Sequence, residues 1–204
     1  MIVTATFRKS WPKCAHYVEE FLSDEKKFKE KHFSVYSAFH KTCTIQLSAQ
    51  EAARSRALIT EVFTLGDGPE IKVNRLLPTQ CALFDPFNGL RYATRDIIQL
   101  GEEAADTYEN GHGWMVLEGA LLHESVHWVR FNCAPPGDAN TLSYQSIEDP
   151  NDAAGTALEV GNWFWTMAYG FNPCTRGTDG KLIQFGPDDT LPIKKPRGAG
   201  AAKS

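Results

Sequence analysis

The chain has 204 residues, a length that suits one globular domain and is short for two. Hydrophobic residues make up 42% of it and charged residues 23%, which excludes disordered, collagen-like and coiled-coil proteins. A net charge of -4 without a dense lysine and arginine block argues against a nucleic-acid partner. No apolar run approaches the roughly 20 residues of a membrane span, and the first ten residues lack a signal-peptide pattern.

The N-terminal third contains signals for a helix, a strand and a helix, in that order. Ser10-Trp11-Pro12 has the form of a helix cap followed by an early proline, and aromatic residues then recur at helical intervals to about His32. The residues of Phe33–Leu47 favour an extended strand. Ser48-Ala49-Gln50-Glu51 is a capping box, which predicts a helix that continues to Leu65.

The middle of the chain predicts a small sheet followed by a long helix. Glu70–Leu77 and Tyr92–Leu100 are extended segments, and Asp85–Gly89 is a turn between them. A polar stretch, Gly101–Gly113, leads to an apolar-periodic helix that starts at Trp114 and continues to about Phe131.

A proline marks the start of the last predicted helix. Asp149 is its N-cap, Pro150 occupies the first helical position, and the helix ends at Gly170. We therefore expect a single α+β domain over residues 1–190, in which a small twisted sheet packs on helices. Residues 191–204 are predicted to be a disordered tail.

The long helix carries the sequence His123-Glu124-Ser125-Val126-His127, an HExxH motif. Residues four apart stand one turn above each other on a helix, so His123 and His127 can bind one metal ion. Glu124 lies between them, where it can take a proton from a water molecule and deliver it to a leaving amine. Such a site can hydrolyse amide bonds.

The surroundings of the motif favour a metal site over a coincidence. The flanking residues are strongly apolar, so the helix is predicted to be buried, where two histidines and a glutamate need partners or a cation. Gly119 and Ala120, one turn before His123, leave room for a substrate or a neighbouring strand. The alternative is a partly exposed helix on which the motif is solvated or hydrogen-bonded.

A catalytic zinc ion usually has three protein ligands, and Glu159 is the best candidate for the third. It is the only charged residue in the aromatic-rich stretch Ala153–Asn172, and a carboxylate buried on such a helix is costly without a cation. The alternatives are a surface-facing Glu159 or an ion pair with Arg130. The acidic residues that suit helix capping better than metal binding are Glu148, Asp149 and Asp152.

This pattern resembles the zincin metallopeptidases, and among them the gluzincins, in which an acidic residue from a later helix completes the HExxH site. Gly155-Thr156-Ala157-Leu158-Glu159 is also similar to the Gly-Thr-x-x-Asp motif of the deuterolysin-like aspzincins, with Glu in place of Asp. The resemblance implies a zincin-like fold and one Zn²⁺ ion bound by His123, His127 and Glu159. It also implies that Glu124 is the general base and acid of a zinc metallopeptidase.

The small chain without a signal peptide also resembles metallopeptidase toxin domains that bacterial secretion systems deliver, such as those fused to type VI spike proteins. This resemblance implies a peptide, protein or cell-wall peptide substrate, a cognate immunity protein and a secretion-spike carrier. It further implies a protein that is cytoplasmic in the producing cell and acts in the periplasm of a target cell.

The sequence indicates the groups that contact the substrate less clearly than it indicates the metal ligands. The zincin resemblance implies a substrate aligned along a sheet edge, for which Ile97–Gly101 is the natural candidate. A donor for the oxyanion is also needed, and Tyr169, Tyr144, His112 and Arg130 are candidates. The alternatives are packing roles for the tyrosines and an exposed loop position for His112.

Two other functions stay open at this point. One is an inactive binding domain that keeps zinc for stability, and the other is an interaction domain in which HExxH is fortuitous. The five cysteines are far apart without a CxxC pair, which favours free thiols. A bridge between Cys133 and Cys174 is the alternative in an oxidising compartment.

Overall fold

Helices fill most of the first 62 residues, and two small sheets with further helices follow. The computed structural model describes residues 1–86, 96–134, 145–148 and 157–182. The helices are α1 (Ala5–Ser10), α2 (Pro12–Tyr17), α3 (Glu25–Lys31), α4 (Phe33–Thr44), α5 (Ala49–Val62), α6 (Glu102–Glu109), α7 (Trp114–Cys133) and α8 (Val160–Tyr169). The strands are β1 (Glu70–Asn74), β2 (Ala82–Phe84), β3 (Ile97–Gly101), β4 (Ser146–Glu148) and β5 (Ala157–Glu159).

The predicted first helix is divided into shorter segments. Pro12 occupies the first turn of α2, as the sequence indicates, but α2 passes into a π-helical turn at Val18–Leu22. Asp24 then starts α3 by accepting a hydrogen bond from the amide of Lys27. A new helix begins here because the aspartate satisfies a first-turn amide that has no partner within the helix.

The strand predicted over Phe33–Leu47 is wrong, because the segment forms the helix α4. Spacings of three and four separate its buried residues, so they share one helical face. This face packs against α5, α7 and α8, and tertiary packing outweighs the strand preference of a few residues. The buried residues are Val35, Ala38, Phe39, Thr42 and Cys43.

The helix α5 starts as the capping box predicts. The hydroxyl of Ser48 accepts a hydrogen bond from the amide of Glu51, and the Glu51 carboxylate accepts one from the amide of Ser48. The helix ends at Val62, before the predicted Leu65. The chain then turns through Gly66, whose φ of 86° is a left-handed conformation that suits glycine.

The first sheet has the order β1-β3-β2, with β3 parallel to β1 and antiparallel to β2. The prediction that Ile97–Gly101 is a sheet edge is therefore wrong, since this strand is paired on both sides. The strand β1 ends at Asn74, which is shorter than predicted. Residues 92–95 of the second predicted strand and residues 87–89 of the predicted turn lie outside the described residues.

The helix α7 confirms the prediction of a long helix that carries the HExxH motif. Every residue from Met115 to Arg130 is buried, because α4, α5, α6, α8 and the first sheet all contact α7. The polar stretch before it was not assigned to a helix, but it contains α6. That helix is short, and it buries Ala104 and Ala105 beside α7 and β3.

The last helix starts later than predicted. Residues Ala157–Glu159 form the strand β5, which pairs antiparallel with β4, and α8 begins only at Val160. The predicted N-cap and first turn fall within residues 149–156, outside the described residues. The predicted end is correct, since Gly170 follows α8 with a φ of 75°.

The protein is an α+β fold, as predicted, and the described elements share one hydrophobic core. Within the described ranges, no helix is both long and apolar enough to cross a bilayer. The predicted tail lies outside these ranges, and the domain boundary at residue 190 stays a prediction.

Candidate metal centre

The helix α7 brings the two histidines of the motif together. Their spacing of four residues places both side chains on one face, with 3.3 Å between the Nε2 atoms of His123 and His127. Both imidazoles are buried, and this face of α7 is turned toward Glu159, where β5 ends and α8 begins.

Glu159 reaches the two histidines from the opposite side. Its carboxylate oxygens lie 3.0 Å from Nε2 of His127 and 3.6 Å from Nε2 of His123. The same carboxylate caps α8, because it accepts hydrogen bonds from the amides of Gly161, at 2.6 Å, and Asn162, at 3.1 Å. The positive end of a helix thus orients the carboxylate toward the histidines.

The predicted secondary structure and burial of Glu159 are wrong. The residue was expected inside a helix and encircled by the core, but it ends a strand and its side chain is 28% exposed. Glu159 does lie close to His123 and His127, as predicted, but its carboxylate is held there as the N-cap of α8.

The separations between the three groups fit a single metal ion. Two ligand atoms bound to one zinc ion at tetrahedral angles, with bonds of about 2.0–2.1 Å, lie roughly 3.4 Å apart. The two Nε2 atoms are 3.3 Å apart, and each lies within 3.6 Å of a Glu159 carboxylate oxygen, Oε1 for His127 and Oε2 for His123. One ligand atom from each of the three residues lies within 4.8 Å of the other two. Two imidazoles and one carboxylate are also a donor set that zinc accepts. These residues can therefore hold a metal ion.

The pKa shifts of Glu159 and His123 also suit a metal, whose charge would replace that of His127 beside the carboxylate. Burial would raise the pKa of Glu159, but the hydrogen bond and the charge attraction to His127, with help from His123 and the Gly161 amide, lower it to about 2. Burial lowers the pKa of His123 to about 3, and the neighbouring His127 acts in the same direction. An ionised carboxylate and a neutral imidazole are the forms that bind a cation.

Glu124 lies at the side of the cluster. One carboxylate oxygen is 3.8 Å from Nε2 of His123, and the other accepts a hydrogen bond of 2.7 Å from the amide of Phe84 in β2. Burial raises the pKa of Glu124 to about 7, against the opposing effects of His127 and the Phe84 amide. A carboxyl group with this pKa can both accept and release a proton near neutral pH.

The candidates for an oxyanion donor lie in different places. The Tyr169 hydroxyl donates to Glu118, and the buried Arg130 guanidinium donates to the carbonyls of Thr42 and Ile45 and to the side chain of Gln145. His112 is exposed in the turn between α6 and α7. Tyr144 lies outside the described residues. These hydrogen bonds of Tyr169 and Arg130 go to groups outside the cluster, although the charge of Arg130 interacts with that of Glu159. The oxyanion roles of Tyr169, Arg130 and His112 stay predictions.

Two contributors to the site were missed in the sequence. The backbone amide of Phe84 reaches Glu124, and the indole ring of Trp165 lies against the imidazole of His123, with 4.0 Å between ring centroids. A backbone amide has no sequence signal. Trp165 becomes visible only when the register of α8 is known, because it lies two turns from the N-cap.

A buried HExxH helix joined by a carboxylate from a distant segment is the arrangement of a metal-dependent hydrolase. Residues 7–170 match the family described as Metallopeptidase toxin 3, and the chain belongs to this family. Searches of curated proteins and of solved structures gave no significant match. The family supports a peptidase that acts as a toxin and depends on a metal ion.

Proposed function

We propose that this protein is a zinc-dependent metallopeptidase toxin that hydrolyses peptide bonds. His123, His127 and Glu159 hold one Zn²⁺ ion, and Glu124 is the general base and acid. The observation that carries the proposal is the set of separations of 3.0 to 3.6 Å among one carboxylate and two imidazoles that come from distant parts of the chain.

Each protein group has a distinct task in this mechanism. When bound, zinc supplies Lewis acidity that polarises the substrate carbonyl and makes water a stronger acid. Glu124 takes the proton from the attacking water and later gives it to the leaving amine. The amide of Phe84 holds the Glu124 carboxylate in position through both transfers.

The edge of β2 is the place where a substrate backbone would pair. The Gly101 amide donates to the Cys81 carbonyl, so alternation along the antiparallel pair turns the backbone groups of Ala82 and Phe84 away from β3. No described strand pairs with this side of β2. The outward amide of Phe84 already contacts Glu124, so a peptide added to this edge would lie beside the cluster.

The toxin family supports a target outside the producing cell. A protein or a cell-wall peptide in the periplasm of a target cell is the substrate class that we propose. Delivery on a secretion spike and protection of the producer by a cognate immunity protein complete this proposal.

Metal analysis of purified variants tests the site directly. The parent protein should contain one zinc ion per chain, and His123→Ala and Glu159→Ala should lose it. Glu124→Gln should keep zinc and lose peptidase activity, because glutamine preserves the shape but cannot accept the proton. Glu148→Ala is a matched control, since Glu148 belongs to the strand that pairs with the strand of Glu159. Full, tight zinc binding by Glu159→Ala would refute the proposed third ligand.

Growth assays test the toxin proposal. The parent and Glu124→Gln are each expressed in the cytoplasm and with export to the periplasm. Growth should fall only when the parent is exported. Equal growth in all four cultures would contradict a periplasmic hydrolytic toxin, and equal toxicity of the two exported proteins would favour a zinc-stabilised binding domain.

A further inference from the structure

His123 lacks the contact that usually orients a metal-binding histidine. A ligand imidazole normally donates its second ring N–H to a carboxylate, a carbonyl or a water molecule, which fixes the ring. In the described part of the chain, Nδ1 of His123 is buried and has no hydrogen-bond partner. Some other feature must therefore hold this ring.

Gly161 provides the space for the ring. A Cβ atom built on Gly161 would lie closer than 3.0 Å to Cε1, Nε2 and Cδ2 of His123, so only a glycine allows α8 to approach the imidazole in this way. These three ring atoms lie at similar distances from the Cβ position of Gly161. The face of the imidazole, and not its edge, therefore lies against Gly161. The contact includes Nε2, the atom that points to Glu159 and His127.

Trp165 lies one turn later on the same face of α8. Its indole ring packs on the imidazole of His123, with 4.0 Å between centroids and an angle of 41° between the planes. Its Nε1–H donates a hydrogen bond of 2.8 Å to the carbonyl of Gly119, one turn before His123 on α7. The tryptophan is therefore fixed at both ends, by its own helix and by the helix that carries the histidine.

We infer that Gly161 and Trp165 form a cradle that positions the imidazole of His123, in place of the missing hydrogen bond at Nδ1. This inference rests on the proposed function, because it assigns His123 to a metal. Gly161 and Trp165 are positioning residues, since they act through His123 and not on the substrate. Packing replaces a hydrogen bond because a buried ring held against both a backbone and an indole ring has little freedom to rotate.

The experiment compares three substitutions in α8. Trp165→Leu removes the aromatic surface, Trp165→Phe keeps part of it, and Phe164→Leu is the control. Phe164 is fully buried and contacts Phe39 and Tyr169, so its truncation weakens α8 without touching the cradle. Zinc affinity is measured by competition with a chelator on folded protein, and Tm and the absorption spectrum of the Co²⁺-loaded protein are recorded for each variant.

Trp165→Leu should weaken zinc binding by about 10- to 100-fold and change the Co²⁺ spectrum. Trp165→Phe should restore most of the affinity, and Phe164→Leu should lower Tm with the parental affinity and spectrum. Parental affinity and spectrum in Trp165→Leu would overturn the inference. So would an equal loss of affinity in Phe164→Leu, because it would show a general effect of weakening α8.

Gly161→Ala tests the other half of the cradle. The added methyl group should displace the imidazole and weaken zinc binding at least as much as Trp165→Leu does. If Gly161→Ala fails to fold, the Trp165 variants still decide the question. Failure of the proposed function is distinguishable, because in that case the parent itself would bind no zinc and His123→Ala would change nothing.

Discussion

Glu118 is a fully buried carboxyl group on the helix that carries the HExxH motif. The hydroxyl groups of Tyr17 and Tyr169 both donate hydrogen bonds to it, and the ring of His32 lies 3.7 Å away. The contacts join the N-terminal helices and α8 to α7. Burial raises the pKa of Glu118 to about 7, and the two tyrosine hydrogen bonds oppose this rise.

The pKa of Glu118 predicts a loss of stability as pH rises. The folded protein holds this proton more tightly than the unfolded chain, so the free energy of unfolding decreases between the unfolded pKa of about 4.5 and the folded pKa of about 7. Relative to Glu118→Gln, the parent should lose roughly 3 kcal/mol between about pH 5 and about pH 8. Urea denaturation of both proteins across this range measures the difference.

Comparison with the glutamine variant removes the contribution of titrating groups that do not contact Glu118. Other titrating groups remain in both proteins, including Glu124 with its raised pKa and Lys31, which favours ionised Glu118. A constant difference in the free energy of unfolding over the whole pH range would contradict the prediction.

At the scale of an element, the capping box of α5 gives a prediction about stability alone. Ser48→Ala removes the acceptor for the Glu51 amide and should cost about 1 kcal/mol, because a first-turn donor loses its partner. A loss of this size lowers Tm by about 2–4 °C in a chain of this length. Thermal unfolding monitored by circular dichroism measures the shift.

Ser48→Thr is the matched control for the capping box, because threonine keeps a hydroxyl that can accept from the Glu51 amide and donate to the Glu51 carboxylate. It should keep the parental Tm. An unchanged Tm in Ser48→Ala, or an equal decrease in both variants, would show that the box does not stabilise the helix.

The elements differ in how far the sequence predicted them. The helices α5 and α7 were predicted because their signals are local: a cap, a breaker and apolar residues repeated every three or four positions. The helix α4 was missed because its face is defined by packing against α8 and α5. The start of α8 was misplaced since pairing of β4 with β5 occupies residues that were expected to be helical.

For Glu159 too, the sequence predicted the residue but not its local structure. Its isolation among apolar residues identified it as a partner for a cation, and the structure places it beside both histidines. Its position at the end of a strand, with the first amides of α8 as donors, depends on the pairing of β5 with β4. That pairing joins segments separated in the chain, so no local pattern reveals it.

At the scale of the whole molecule, the fold decides which cysteines are neighbours. The Cys174 side chain interacts with Cys81, which precedes β2, and both lie near Arg176. Cys133 instead contacts the carbonyl of Arg130, in the vicinity of Cys43. All five thiols are free in this structure, so the bridge between Cys133 and Cys174 is not formed.

Oxidation should therefore link Cys174 to Cys81. With oxidised glutathione, each thiol gives up one hydrogen atom, the two sulfur atoms bond, and two molecules of reduced glutathione are released. Mass spectrometry of peptides from the alkylated protein identifies the linked pair. Cys81→Ser should abolish the link and Cys133→Ser should not. A Cys133–Cys174 peptide, or glutathione attached to Cys174 as the sole product, would contradict the prediction.

The sequence by itself determined that the chain carries two histidines able to share one metal ion, because His123 and His127 are one helical turn apart and a helix needs only local hydrogen bonds. It also identified Glu124 and Glu159 as the acidic residues of interest. Only the tertiary structure decided that β2 and not β3 is the edge beside Glu124, and that Gly161 and Trp165 support His123. The reason is that strand order and contacts between helices depend on burial shared by distant segments, which no short stretch of sequence contains.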